Sequence, residues 1–320
     1  MLSSKVYLKQ LFVLLGIILV LVVGYVYYYS IHYPLPFTNR ISLDAKIKFI
    51  RDNIDVDEID TIIVGSSIGL NNIQGTYLAK YSKECERVLN LSVYEASALQ
   101  AESLLLLSDY FPNLKRVIYS VQFSDFQHRS QFKNYDIKKI GQYISHEFNP
   151  ISTVKFIFDA SKDLSALYKR ANEWDEKHGQ NNKFTYLGFD SSGSVPLHIY
   201  GKDIIQKRWA NPHGSLHYNE PFDAVDRMSK RVHEKGIKYY LVQQPYRPEL
   251  VKKHWHISAE LNWFLKRVTK VVEKNGESVL SLYKTLEITD DYFADRSHLN
   301  DKGSILSAEA IAKFIDTHEK

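Results

Sequence analysis

A single cysteine, Cys85, stands in 320 residues, so no intrachain disulfide can form. Its neighbours Lys83, Glu84, Glu86 and Arg87 point to a half-buried structural thiol rather than a reactive one. No glycine-rich phosphate loop occurs, and no nucleotide cofactor is expected. Charge is nearly balanced, with a formal net charge of +4 and no long Lys/Arg run. That balance gives no argument for nucleic acid as a partner. Metal-ligand patterns are lacking as well. His213 and His217 flank Gly214 without the acidic residue of a zinc helix, and His254-Trp255-His256 puts alternate residues on different helix faces. No metal is expected. No internal repeat or low-complexity tract is present.

Apolar residues are plentiful, at 44% of the chain, with 22 Tyr and 16 Phe. They suffice for one well-packed core with an insertion, or for two small domains. Their first concentration is a long run. Leu11 to Ile31 holds no charged residue, and Tyr25, Tyr27, Tyr28, Tyr29 and Tyr33 cluster at its far end. As a helix it reaches roughly 30 Å, enough for a bilayer, with an interfacial tyrosine belt. Its length and bulky end favour an uncleaved anchor over a signal peptide. Lys5 and Lys9 precede the run, so residues 1–10 are expected in the cytoplasm and the remainder outside, in the periplasm or at the cell surface. Residues 32–57 read as a linker and a juxtamembrane helix, with Ser42 as its N-cap.

From about residue 58 the chain alternates strands and helices. Strands are expected at about 60–65, 87–92, 114–121, 237–242 and 278–283. Helices are expected from the Asn71, Asn72, Gln74 stretch to about 83, then at 96–110, 222–235, 258–274 and 301–317. Between 127 and 219 the rhythm stops, with helices near 134–145 and 151–173 and polar Gly/Asn/Ser-rich stretches. This reads as one insertion capping the active edge. The whole predicts a flavodoxin-like three-layer α/β/α domain with a parallel sheet over 58–320, plus one N-terminal transmembrane helix.

The first strand, Thr61 to Val64, stops at Gly65-Ser66-Ser67-Ile68-Gly69. A serine on a strand-to-helix turn lies at the carboxyl edge of the sheet, where open α/β sheets bind ligands. Asp295-Arg296-Ser297-His298 sits between the last strand and the last helix, on the same edge. Ser67 as nucleophile, His298 as base and Asp295 as its orienting carboxylate complete a triad. Asp-x-x-His also occurs at Asp125…His128 and Asp175…His178, but not before a final helix. The block matches the G-x-S-x-G elbow of α/β-hydrolases literally. That fold, however, places several strands before its elbow. Ser66 is the weaker candidate for nucleophile.

These two blocks resemble those of the SGNH (GDSL-type) hydrolase superfamily, in its membrane-anchored cell-envelope acyltransferase branch. Gly65-Ser66-Ser67 corresponds to the serine block and Asp295-Arg296-Ser297-His298-Leu299 to the Asp-x-x-His block. The resemblance covers about 58–126 and 220–317. It implies Ser67, His298 and Asp295 as catalytic residues. The family also uses a block-two glycine and a block-three asparagine for the oxyanion. Ser92 stands at the former place, and Gln122 or Ser124 is the substitute for the latter. Oxyanion donors are therefore expected from Ser67, Ser92 and Gln122. The implied function is serine-dependent O-acyl transfer or ester hydrolysis on a cell-envelope polysaccharide, with an acyl donor and a glycan acceptor as partners. Two other readings remain: a lipase or thioesterase at the membrane face, and a catalytically silent glycan-binding or scaffold partner of an integral membrane acyltransferase.

Overall fold

Short runs of Val, Ile, Leu and Tyr form the centre of the molecule. A computed structural model describes residues 4–133, 135–147, 159, 162–178, 187–205, 218–253 and 255–319. In order come α1 (Ser4–His32), α2 (Ile41–Asn53), β1 (Thr61–Gly65), α3 (Ser67–Asn72), α4 (Gly75–Tyr81), β2 (Val88–Asn90), α5 (Ala98–Leu105) and β3 (Arg116–Val121). The second part has α6 (Ile137–Ile144), α7 (Leu164–His178), α8 (Glu220–Glu234), β4 (Lys238–Gln243), α9 (Pro248–Lys253), α10 (Trp255–Glu273), β5 (Ser278–Ser281), α11 (Leu282–Thr285) and α12 (Asp301–His318).

The fold is α/β, with one all-parallel sheet in the order β2-β1-β3-β4-β5. Alternation along the strands supplies two apolar faces. Ile62, Val64, Val117, Tyr119, Tyr239 and Leu241 meet α5, α8 and α10 on one side. Ile63, Ile118, Tyr240, Val242 and Leu280 meet α4 and α12 on the other. The strand order reverses between β1 and β3, which makes their carboxyl ends the switch point where such sheets bind ligands.

Three local expectations change. The helix foreseen up to about residue 83 is broken at Ile73 and Gln74. There the Ile73 carbonyl turns out to accept from Asn90 Nδ2 (3.2 Å) and Ser194 Oγ (2.9 Å). Residues 106–110 tighten into a 3₁₀ turn ahead of Pro112, since the residue before a proline avoids the α region. Ser42 is not the N-cap of α2. The helix starts at Ile41, and Asp44 Oδ1 in its first turn takes both the N–H and the hydroxyl of Thr38, each at 2.9 Å.

Helix α1 has 29 residues and a mean hydropathy of 2.6 over its most apolar window, long and apolar enough to cross a membrane. Its far end joins the fold. Val26 and Tyr29 are buried in the main core, and Lys48 Nζ donates to the Ile31 carbonyl at 2.7 Å. Helix α7 is tied to α2 by the buried ion pair of Arg170 with Asp44 (2.8 Å). Residues 187–205 form a strap across the carboxyl edge. Its bonds run from Asn90 N–H to Ser192 O (2.7 Å), Val195 N–H to Leu70 O (3.0 Å), Asp301 N–H to Leu197 O (2.9 Å) and Ile205 N–H to Ala294 O (2.9 Å). The helix expected over 151–173 falls partly outside the described residues, as do Gly179-Gln180-Asn181-Asn182, His213, His217 and His254.

Candidate active site

Close approach of β1 to β3 shapes the serine turn. A Cβ on Gly65 would lie 2.5 Å from the Ser120 carbonyl, so no larger residue fits there without a shift. Ser66 is extended (φ −84°, ψ −162°) and caps α3, its Oγ accepting from Ile68 N–H at 3.2 Å. Ser66 is thereby a turn-builder, and Ser67 is the first helical residue. Leu70 N–H takes the Ser66 carbonyl. Among the described residues, no acceptor meets the Ser67 N–H, one of the open donors of a helix start.

The partner loop lies between β5 and α12. Asp295 Oδ1 accepts the N–H groups of Ser297 and His298, both at 2.8 Å. Its Oδ2 holds His298 Nδ1 at 2.9 Å, and His298 Nε2 stands 2.9 Å from Ser67 Oγ. With Nδ1–H given to the carboxylate, Nε2 is the acceptor for the Ser67 hydroxyl. Burial works to raise the Asp295 carboxyl, but His298 and the N–H donors outweigh it and hold it below the usual range. Ser67, Asp295 and His298 are 8%, 4% and 3% exposed, so the hydrogen-bonded chain they form is shielded from water. Asn72 braces the loop at two points, donating to Ser297 O (3.1 Å) and accepting from Leu299 N–H (2.8 Å).

The three residues expected to form a triad are therefore brought together across 231 positions of sequence. Two expected oxyanion donors are not. The Ser92 N–H is turned to Asn90 Oδ1 (3.0 Å), and Ser92 Oγ abuts Gly69, where a Cβ would lie 2.4 Å away. The Gln122 side chain donates to Pro245 O and Ser297 O, both at 3.2 Å, while its N–H goes to Asp125 Oδ2 (2.8 Å). Both residues brace the site rather than face it. The Phe123 N–H is likewise directed to the Tyr246 hydroxyl, at 3.0 Å.

Sequence reasoning missed three buried residues here. Asp125 follows β3, and its Oδ2 accepts the Gln122 N–H at 2.8 Å, closing a capping box at the strand exit. Its carboxyl is pushed up to about 7, chiefly by burial, against the Gln122 N–H, the Ser66 hydroxyl and His298. Asn90 ties α3 to the strap, donating to Gly69 O (2.9 Å) and Ser194 Oγ (3.1 Å). Lys46 is 1% exposed and donates to Asn90 O (2.7 Å) and Gly193 O, with Phe189 beneath it. Burial drives its ammonium well below the usual lysine range. A polar residue at the end of an apolar strand was the one available signal for Asp125 and Asn90. Lys46 gave none.

No protein-family model matches this chain, and no curated protein matches it.

Proposed function

We propose that this protein is a membrane-anchored serine acyltransferase or esterase of the SGNH type, acting on a cell-envelope polysaccharide. The observation that carries the reading is the continuous chain from Asp295 through His298 to Ser67 at the switch point of the sheet. Ser67 Oγ attacks the acyl carbonyl while His298 Nε2 takes its proton. The tetrahedral oxyanion is met by the Ser67 N–H. Collapse expels the donor's alcohol, which leaves with the proton from His298, and an acyl-serine remains. An acceptor hydroxyl, or water, then gives its proton to His298 and releases the acyl group.

Retention of the anchor is supported by the burial of Val26 and Tyr29, which makes the end of α1 part of the fold. The two lysines ahead of the span favour a cytoplasmic N-terminus and an external catalytic domain. That placement sets the serine beside membrane-borne donors and nascent glycan, and favours transfer over hydrolysis.

Fluorophosphonate labelling of the full chain in detergent micelles tests the reading. Wild type is expected to label, and Ser67→Ala and His298→Ala are expected to lose the label. One observation favours a silent scaffold instead: Ser67 is 8% exposed, with Ser92 and Gln122 engaged elsewhere. A folded wild type that never labels selects that second reading.

A further inference from the structure

We propose that Asn90 is a positioning residue for Ser67: its side-chain amide fixes to the sheet the short helix that carries the nucleophile. The proposal rests on the acyl-transfer reading above.

Helix α3 has six residues, too few to hold their own shape, and Ser67 is the first of them. The direction of the Ser67 hydroxyl therefore follows whatever holds α3. The last carbonyls of a helix lack helical donors. Here Asn90 supplies them. Its Nδ2 donates to Gly69 O (2.9 Å) and Ile73 O (3.2 Å), and also meets Ser194 Oγ of the strap (3.1 Å). Its Oδ1 accepts the Ser92 N–H at 3.0 Å. The amide fits in this orientation alone, because a carbonyl only accepts and the Ser92 N–H only donates. Asn90 is 0% exposed, so no bulk water stands in for a lost partner.

The main chain of Asn90 is fixed independently of that amide. It stands opposite Ile63 in the pairing of β1 with β2. Its N–H goes to Ser192 O (2.7 Å), and its carbonyl accepts from Lys46 Nζ (2.7 Å). The amide thus refers α3 to the sheet, as Asn72 refers it to the His298 loop. With both tethers in place, Ser67 Oγ and His298 Nε2 stand 2.9 Å apart. A displacement of about 1 Å at such a contact slows reaction by about a hundredfold.

The test is fluorophosphonate labelling of the full chain in micelles, followed to completion so that rate and labelled fraction are read separately. Circular dichroism and thermal melting accompany every variant. Asn90→Ala is expected to reach the wild-type labelled fraction at a maximal rate about a hundredfold lower. The probe concentration for half the maximal rate is expected to stay, and so is the midpoint of the pH profile, because Asp295 and His298 keep their bonds. Asn90→Ser keeps a small polar group and serves if Asn90→Ala fails to fold. It is expected to slow labelling by at least about tenfold. Lys46→Met removes the support of the Asn90 carbonyl and leaves the amide on α3. It is expected to melt lower than wild type and to label at close to the wild-type rate. A merely structural asparagine would lower the melting temperature or the labelled fraction and leave the rate of the folded protein unchanged, which overturns the proposal. So does an equal slowing in Lys46→Met. A wild type that never labels overturns the acyl-transfer reading, whereas a labelling wild type matched in rate by Asn90→Ala overturns this inference alone.

Discussion

Asp295 uses its two oxygens for two tasks. Oδ1 folds the loop around the N–H groups of Ser297 and His298, and Oδ2 orients the imidazole. In Asp295→Asn the amide retains an acceptor for the loop but presents a donor to Nδ1. The ring then keeps its proton on Nε2 and cannot accept from Ser67. Labelling at pH 8 is expected to slow by about 10⁴-fold, with the fold preserved. Stability carries a second signature. The folded carboxyl lies below its ordinary range, so its contribution is present above the unfolded value near 4 and is lost as pH falls through the folded one. The melting-temperature gap between wild type and Asp295→Asn is expected to narrow below about pH 4. A gap constant from pH 3 to pH 7 contradicts this. Asp125 behaves oppositely. Its folded value of about 7 exceeds the unfolded one, so its ionisation costs stability as pH rises from about 4 towards 7.

At the scale of elements, three pieces meet over the sheet edge: α3, the β5–α12 loop and the strap 187–205. Asn72 joins the first two, and the strap bonds to both. Asn72→Ala leaves Ser297 O and Leu299 N–H without their partner, and is expected to lower stability by about 1–3 kcal/mol. It is also expected to slow labelling, because His298 lies between those two groups. Asn72→Asp keeps the acceptor for Leu299 and should recover part of the loss. Equal labelling in wild type and Asn72→Ala would show that the loop holds its shape unaided. Gly69 serves the same junction. Its missing side chain admits Ser92 Oγ and the Ser120 Cβ, where an added Cβ would meet them at 2.4 Å and 3.2 Å. Gly69→Ala is expected to cost about 1–3 kcal/mol by thermal melting, through overpacking.

For the whole molecule, the end of α1 and the α/β fold share a core. Val26, Tyr29, Leu35 and Phe37 are buried in the main apolar cluster, and Thr38 is locked to Asp44 and Arg170. A chain lacking residues 1–24 keeps these contacts and is expected to fold. A chain lacking residues 1–40 loses them all. Each fully buried apolar side chain carries roughly 1.5–3 kcal/mol, so the shorter chain is expected to melt markedly lower. Equal melting temperatures would mean that α1 docks without adding stability. Intact-mass measurement on the membrane fraction is expected to find the N-terminal segment uncleaved.

The parallel α/β sheet was legible because its signals are local. Each strand is a short apolar run ended by a turn, and burial on both faces writes that pattern into consecutive residues. Ser67, Asp295 and His298 were legible for a related reason: each closes or follows a strand whose direction is already set, so their edge of the sheet follows from topology. Tertiary structure alone decided the rest. Ser92 and Gln122 occupy suitable positions, yet their donors point to Asn90, Asp125, Pro245 and Ser297, and hydrogen-bond direction depends on groups distant in the chain. Asp125 stood in a discounted Asp-x-x-His match, and its carboxylate takes the Gln122 N–H only once the exit of β3 has turned. Lys46 lies on a helix whose sequence reads as partly solvated. Its burial arises from the strap, 147 positions away at Gly193. Periodicity determines what a segment buries; which polar groups then meet is settled when the segments pack.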